Sequence, residues 1–488
     1  MTPCFSTLID LLAHNAGAHP HRPALIFEGH PHSHAQLHDA VKEQAASLAG
    51  LGVRKGDRVL LLAPNRPEVL VLLGAVAWIG AVLVPLNLRL SPAELAQQAR
   101  DAAPSLVVVD ADCESLWGTA LPGGLEGAHT WVMPAAKRDT WACVGARATQ
   151  PVQRADAPES AVVMLFTAAV DGHARGAVLA QSHLMASAHQ TSQRWSLDAQ
   201  DCWLGVLPLF HAAGIGLTLA LLDAGGACVL LSRFDPVAAV AAVAQHRVTV
   251  CTTFAPMLTA LLDAALGSAP PQSLGSLRIC MGLEPPSVIE RLNTTYPDAQ
   301  FWSAYGQAEV SAMVCLGLQS ERPGAAGRPL LPTQVRVQDT AGRALPPNAE
   351  GEIAVCGPTV FLGYWQPDAK QPYKPADPWH RTGDLGRMDE EGWLWFTGRA
   401  THKQLIKTGG ENVYPAEVEQ VLLEHPEVVE AYVFGQADDT WGEAVHAICA
   451  TQAGSALTEG ELKNFVASRI ARYKQPKTIL FKAPGFQR

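Results

Sequence analysis

Five short segments of this chain combine chemistry-bearing residue types, and three of them could meet the phosphates, base and ribose of a nucleotide. The first follows an apolar run from Ala161 to Thr167 and reads Phe166-Thr167-Ala168-Ala169-Val170-Asp171-Gly172-His173-Ala174-Arg175-Gly176, with Ser182-His183 beyond it. A strand ending in a turn with a hydroxyl, a glycine and a cation can cradle phosphate, because backbone amides and a guanidinium meet its oxygens. A surface hairpin would carry the same residues. No Gly-Lys dipeptide occurs in the chain, so this is not a Walker loop, and no G-x-G-x-x-G is present either. The second segment, Leu207-Pro208-Leu209-Phe210-His211-Ala212-Ala213-Gly214, places a lone histidine among apolar residues, where most histidines serve the core or a turn. The third, Trp302-Ser303-Ala304-Tyr305-Gly306-Gln307-Ala308-Glu309, offers a ring to stack on a base and a carboxylate to hold Mg²⁺ on phosphates. The fourth runs Trp379-His380-Arg381-Thr382-Gly383-Asp384-Leu385-Gly386, with Thr397-Gly398-Arg399 after it. A paired Asp and Arg suit a ribose diol, one accepting hydrogen bonds and the other donating them. The fifth, Gly409-Gly410-Glu411-Asn412-Val413-Tyr414-Pro415-Ala416-Glu417-Val418-Glu419, is a glycine turn opening directly into a helix.

These segments need elements to hold them. Arg58 to Ala63, Ala81 to Pro85, Leu106 to Asp110, Ala161 to Thr167, Ala227 to Leu231, Val248 to Thr253 and Leu277 to Met281 read as buried strands. Ala- and Leu-rich helical patterns such as Pro92 to Ala102 and Pro236 to His246 alternate with them, which is the signature of an α/β fold with parallel sheets. After about Arg322 the style changes. Gln334 to Asp339, Gly351 to Val355 and Gly392 to Phe396 are short strands between Gly, Pro and acidic turns, as in a small antiparallel β-barrel or sheet. From Leu405 a third style begins. Helices at Glu417 to Glu424 and Glu461 to Ile470 flank strands at Val428 to Gly435 and Ala444 to Thr451, predicting a small mobile α+β lid. The division is therefore a large N-terminal domain over 1–398, a hinge over 399–404 that includes Gln404, and a lid over 405–488.

With 488 residues, the chain is too long for one compact core. Its 48% hydrophobic and 17% charged residues place it among ordinary globular proteins rather than disordered ones. A formal charge of −10 without a basic cluster argues against nucleic acid as a partner. The 10 cysteines are scattered singly, which in so long a chain means free thiols in a reducing cytoplasm. Val69 to Leu86 is uncharged and just long enough to span a bilayer, yet Gly74, Gly80 and Pro85 interrupt it. It reads as a buried helix, Glu68 to Trp78, followed by the strand at Ala81 to Pro85. His30, His32, His34 and His38 match no zinc spacing and read as a polar turn entering a helix over Ala35 to Leu48. No G-x-S-x-G elbow occurs, which disfavours a serine hydrolase.

Each segment alone has a scaffolding explanation, but their order and spacing together do not. The set resembles the adenylate-forming superfamily of acyl-CoA synthetases, peptide-synthetase adenylation domains and luciferases. The resemblance covers nearly the whole chain, from Gly52-Val53-Arg54-Lys55-Gly56-Asp57-Arg58-Val59 through Gly351-Glu352-Ile353 and Gly363-Tyr364-Trp365. Arg381-Thr382-Gly383-Asp384 and Gly409-Gly410-Glu411-Asn412-Val413-Tyr414-Pro415 are its most specific runs. It implies ATP-dependent activation of a carboxylic acid to an acyl-adenylate, followed by transfer to coenzyme A, with Mg²⁺ as cofactor. By the same resemblance Thr167, Gly172 and Arg175 fall on the phosphate loop, and Tyr305 stacks on adenine with Gly282, Leu283, Glu284 and Gly306 around it. Glu309 binds Mg²⁺, Asp384 and Arg399 hold the ribose, and Gly409 and Gly410 line the coenzyme A tunnel. His211 borders the acyl pocket with Gly282, Ser303 and Ala304.

Four departures touch this pattern. The phosphate loop usually reads Thr-Ser-Gly-Thr-Thr-Gly before Pro-Lys-Gly, so hydroxyls are missing here, Asp171 is added, and Arg175 stands for lysine. Ala308 replaces a threonine, Gln404 stands where the hinge usually has a carboxylate or lysine, and the sequence stops a few residues before the family's adenylation lysine is expected. Two readings stay open: an active enzyme with a restyled loop, or a relative that binds ligand without efficient adenylation. Retention of the ribose, Mg²⁺ and lid positions favours the first. Transfer to a carrier protein instead of coenzyme A is a further alternative, although no carrier serine motif follows. The acyl pocket offers no obvious carboxylate except Glu284, so a fatty or aromatic acid suits it better than an amino acid. Monomer and homodimer are both compatible with the sequence.

Overall fold

The computed structural model describes residues 4–121, 123–134, 141–146, 152–167, 174–267, 274–400, 405–409, 411–438 and 441–486. The β-branched runs form two large sheets. In one, Arg58–Leu62 lies between Val82–Pro85 and Leu106–Asp110, all parallel. Parallel neighbours need a crossover, and the helices Pro67–Ile79 and Pro92–Ala102 supply it. Among the described residues this sheet has eight strands and continues through Ala161–Thr167 to Arg175–Ala180, which turns back antiparallel. The other has nine, with Cys202–Gly205, Val250–Phe254, Ile279–Leu283 and Gln300–Tyr305 parallel and Cys315–Leu318 antiparallel at its side.

One core joins the facing sides of both sheets with the helices between them. Separate apolar clusters cover the outer faces, packing Pro236–His246 and Met257–Gly267 on one sheet and Pro92–Ala102 on the other. The helix Pro67–Ile79 is apolar all round because it is buried all round. At Gly74 an added Cβ would stand 2.6 Å from Val41 Cγ2, so glycine lets this helix cross His34–Gly50 closely. Among the described residues no helix is long and apolar enough to cross a membrane.

Two strands begin later than their apolar runs suggest. The Val248 amide donates to the Val243 carbonyl and closes the preceding helix, while the Leu277 amide donates to Leu274 in a turn. Their ladders accordingly start at Val250 and Ile279. His34 is buried against the Gly225 carbonyl, 3.3 Å from its Nε2, and burial pulls its pKa down to about 4. His32 packs on Trp141 with ring centroids 4.4 Å apart.

The antiparallel unit is a four-stranded sheet in the order Gln334–Gln338, Gly351–Cys356, His380–Met388, Leu394–Arg399. The lid carries its own core: Pro415–Leu423 and Glu459–Ala467 pack on a sheet of five strands, the longest being Val428–Asp438 and Gly442–Thr451. Gln404 and most of the expected hinge, 401–404, lie outside the described residues.

Candidate functional site

Ligands of open α/β sheets sit beyond the carboxyl ends of parallel strands, where backbone groups leave the ladder. Here Ile279–Leu283 and Gln300–Tyr305 end together. Gly282, Leu283 and Glu284 from the first, and Ser303, Ala304, Tyr305 and Gly306 from the second, line one cavity of about 1210 Å³. Asp384 and Arg399 close it from the antiparallel sheet, and Lys407, Tyr432 and Phe434 close it from the lid. The glycines are there because backbone passes close by. A Cβ on Gly282 would lie 1.8 Å from the Thr253 carbonyl oxygen, and one on Gly306 would lie 1.6 Å from that of Ala312. Gly282→Ala is therefore expected to destabilise the protein by about 1–3 kcal/mol, read from denaturant unfolding of the purified variant. An unchanged midpoint would show that the strand end shifts freely.

Asp384 organises the floor of this cavity. Its Oδ2 accepts from the Tyr305 hydroxyl at 2.9 Å and from Gln307 Nε2 at 2.6 Å. Arg399 Nε lies 3.1 Å from Oδ1, off the line of a hydrogen bond, and Oδ1 is buried without a donor among the described residues. A buried carboxylate oxygen without a donor costs free energy unless a ligand supplies one, and a ribose diol does so. Glu284 is also buried, with Oε1 accepting from the Leu258 amide at 3.2 Å; burial pushes its pKa up.

A second polar cluster, outside the residues that line this cavity, is built around Glu309. Glu309 Oε1 accepts from Thr167 Oγ1 at 3.2 Å and from the Tyr364 hydroxyl at 2.8 Å. The Arg175 guanidinium lies 5.6 Å from the centre of the Tyr364 ring. The folded chain thus gathers Thr167 and Arg175 of one hairpin with Glu309 and Tyr364 from two other segments. A carboxylate beside hydroxyls is hard oxygen chemistry and fits Mg²⁺ carried on phosphates. Gly172, with Ala168 to His173 of the same loop, lies outside the described residues.

His211 stands apart from the cavity's lining residues. It packs edge-on against Phe210 at 4.6 Å and places Nε2 3.4 Å from Glu411 Oε1. Glu411 arrives from the lid and accepts from Arg89 Nη1 at 2.6 Å and Asn87 Nδ2 at 3.3 Å. Burial alone would raise the Glu411 pKa. The hydrogen bond and charge of His211, with the Arg89 charge and the Asn87 hydrogen bond, more than reverse that and push it to about 2. Beside this junction Gly409 has φ +55°, and a Cβ there would stand 2.8 Å from Trp441. Gly410 lies outside the described residues.

Sequence reasoning singled out neither Gln307 nor Glu411 as a site residue, and it missed Asn87, Arg89 and Tyr364. Gln307 sits two residues after Tyr305, so the motif itself carried a signal. Arg89 meets Glu411 across 322 positions, and no local pattern announces such a pair.

Residues 12–365 match the AMP-binding enzyme family, and residues 417–485 match the AMP-binding enzyme C-terminal domain. The chain belongs to the AMP-binding enzyme family. It is 32% identical to the 2-succinylbenzoate–CoA ligase of Bacillus cytotoxicus, over 97% of this chain and 95% of that protein. Among solved structures it is similar to the o-succinylbenzoate CoA synthetase of Bacillus subtilis. A double mutant of that enzyme bound to the product analogue OSB-NCoA superposes with a TM-score of 0.83, at 28% identity over 97% of this chain and 94% of the other. The same enzyme in complex with the acyl-adenylate intermediate OSB-AMP superposes with a TM-score of 0.70, at the same identity and coverage.

Proposed function

We propose that this chain is an AMP-forming acid–thiol ligase that activates an aromatic carboxylic acid and delivers it to coenzyme A. The observation that carries this is the buried Asp384 cluster in the cavity, together with the group that Glu309 forms with Thr167 and Arg175 of one hairpin. A nucleotide bound with its ribose on Asp384 and Arg399 would direct its phosphates toward Glu309. In the first half-reaction a carboxylate oxygen of the acid attacks the α-phosphorus, and the bond to pyrophosphate breaks. Mg²⁺ held through Glu309 would neutralise phosphate charge. In the second, a thiolate sulfur attacks the acyl carbon, a thioester forms, and AMP leaves with the bonding electrons.

The two superpositions support a lid placed for the second half-reaction. One relative in two liganded forms, at equal identity and coverage, agrees better when it holds the coenzyme A product analogue. The Glu411 contacts with Arg89, Asn87 and His211 belong to this placement, which also suits Gly409 to a pantetheine passage. We divide the chain at 399–404, with 1–398 as the AMP-binding domain and 405–488 as the lid. Ten free cysteines, most of them buried, support a cytoplasmic location.

The activity named for the relatives makes 2-succinylbenzoate the first acid to test. Acid-dependent ATP–pyrophosphate exchange, then coenzyme A-dependent AMP release, is measured across 2-succinylbenzoate, simple benzoates and long-chain fatty acids. Exchange and AMP release with an aromatic acid are expected. Exchange with fatty acids alone would overturn the aromatic assignment, and ATP binding without any exchange would leave a ligand-binding relative. Exchange followed by transfer only to a carrier-protein thiol would replace coenzyme A as the acceptor.

A further inference from the structure

The core segment just before and inside the helix Pro92–Ala102 meets the lid a second time, away from Glu411. Ser91 Oγ donates to the Arg469 carbonyl at 2.7 Å, and the Ala471 amide donates to Glu94 Oε2 at 2.9 Å. Lys474 Nζ then lies 2.5 Å from Glu94 Oε1, across the junction, and 2.6 Å from Glu417 Oε1 on its own side. Lys474 is nearly sealed from water, with a side-chain exposure of 5%. Glu94 is held in place from its own side, because the same Oε2 accepts from the Ser91 amide at 2.7 Å as half of a capping box. One carboxylate therefore both starts a core helix and receives the lid.

We infer that Glu94 and Lys474 form a charged latch that selects this lid placement and so positions the thiol-transfer half-reaction. The inference rests on the acid–thiol ligase reading for its kinetic readout, but not for its structural one. The pair is built to open as well as close. When the lid swings away, Lys474 keeps Glu417, which rides with it, and Glu94 keeps the Ser91 amide and gains water. Neither charge is left buried and alone, which is what makes breaking an ordinary buried pair so costly. Burial would lower the Lys474 pKa, but the two carboxylates more than offset it, so the lysine stays charged while docked. The contact joins surfaces far apart in sequence, so it exists only in a lid placement that brings Arg472–Lys474 onto Pro92–Ala102.

The test uses Glu94→Gln in the full chain, which keeps the side chain's shape and an oxygen for the cap. Two half-reactions are measured separately: acid-dependent ATP–pyrophosphate exchange without coenzyme A, and transfer of preformed acyl-adenylate to coenzyme A. Hydrogen exchange of the Ala471 amide is followed alongside, with the Val433 and Ala447 amides inside the lid as references. The expected result is transfer slowed by about tenfold or more, pyrophosphate exchange within about twofold of the parent, and Ala471 exchanging about tenfold faster while the references hold. Lys474→Met is expected to move every readout the same way. Equal loss in both half-reactions overturns the latch, as does unchanged Ala471 exchange or faster exchange without loss of transfer. If the parent protein performs neither half-reaction, the ligase reading fails, and Ala471 exchange alone decides whether Glu94 holds the lid.

Discussion

Asp384→Ala is expected to lower acid-dependent ATP–pyrophosphate exchange by about 10²–10³-fold, the largest loss of any single change in the proposed nucleotide site. The reason is geometric. Asp384 accepts from Tyr305 and Gln307 and keeps one buried oxygen for a ligand donor. Hydrogen bonds to a charged group contribute about 1.5–3 kcal/mol each, so losing those to a bound ribose accounts for this range. The alanine also removes the Asp384 acceptor of the Tyr305 hydroxyl and one of the two acceptors of the Gln307 amide, which keeps the Thr382 carbonyl at 3.1 Å, so part of the loss arises from a misplaced ring rather than a missing contact. Asp384→Asn separates the two contributions, because it keeps the shape and an oxygen but removes the charge beside Arg399. Steady-state kinetics with ATP varied should show the loss mainly in KM for asparagine, and in both constants for alanine. If both variants exchange pyrophosphate as the parent does, the nucleotide binds elsewhere.

The second large effect falls on the other half-reaction. Glu411→Gln should slow transfer of preformed acyl-adenylate to coenzyme A by about 30–100-fold and leave pyrophosphate exchange within about twofold. Glu411 is buried on the lid and receives Arg89, Asn87 and His211 from the core. Neutralising it removes the one buried charge of that junction, Glu411 being 6% exposed while Arg89 is 53% exposed, and the expected loss corresponds to about 2 kcal/mol. The depressed pKa gives the effect a direction in pH. A carboxylate at about 2 when docked, against an ordinary value near 4.5, stabilises the docked form in full above about pH 4.5. That contribution, on the order of 3 kcal/mol, is lost as pH falls toward about 2. The melting temperatures of parent and Glu411→Gln should therefore differ at pH 6 and converge as the pH falls below 4.5. A difference that persists at low pH would mean that shape, not charge, holds the junction.

Much of the architecture was legible before any coordinates. Pro92 to Ala102 and Pro236 to His246 read as helices from their Ala- and Leu-rich patterns, and both form with those bounds, each with proline in its first turn after a capping Ser91 or Asp235. The strands Leu106–Asp110 and Ala161–Thr167 also run as their apolar stretches indicate. The errors sit at strand starts such as Val248, where a buried side chain is apolar enough for a strand but its amide serves the helix before it. The apolar run after Val69 is long enough for a bilayer, but Gly74, Gly80 and Pro85 mark it as a helix and a strand, and Pro67–Ile79 and Val82–Pro85 form as buried elements.

The candidate site divides in the same way. Asp384, Tyr305 and Glu309 stand in motifs whose residue types and spacing were enough to propose a nucleotide site, because each motif is local and its chemistry is short-range. Gly282 and Gly306 were in place too, but the close backbone passes that require glycine appear only when Thr253 and Ala312 arrive beside them. Asn87, Arg89 and Glu94 could not be found at all. They lie in a polar turn and a helix start that look like ordinary surface, and their partners Glu411, Ala471 and Lys474 come from more than three hundred residues away. Residue order thus determined the fold class and the small C-terminal α+β unit, and the adenylate chemistry came from the resemblance that the motifs carry. Only the tertiary structure decided how lid and core meet, since that junction is made of long-range charge pairs that exist in one placement of the lid and leave no periodic trace in the chain.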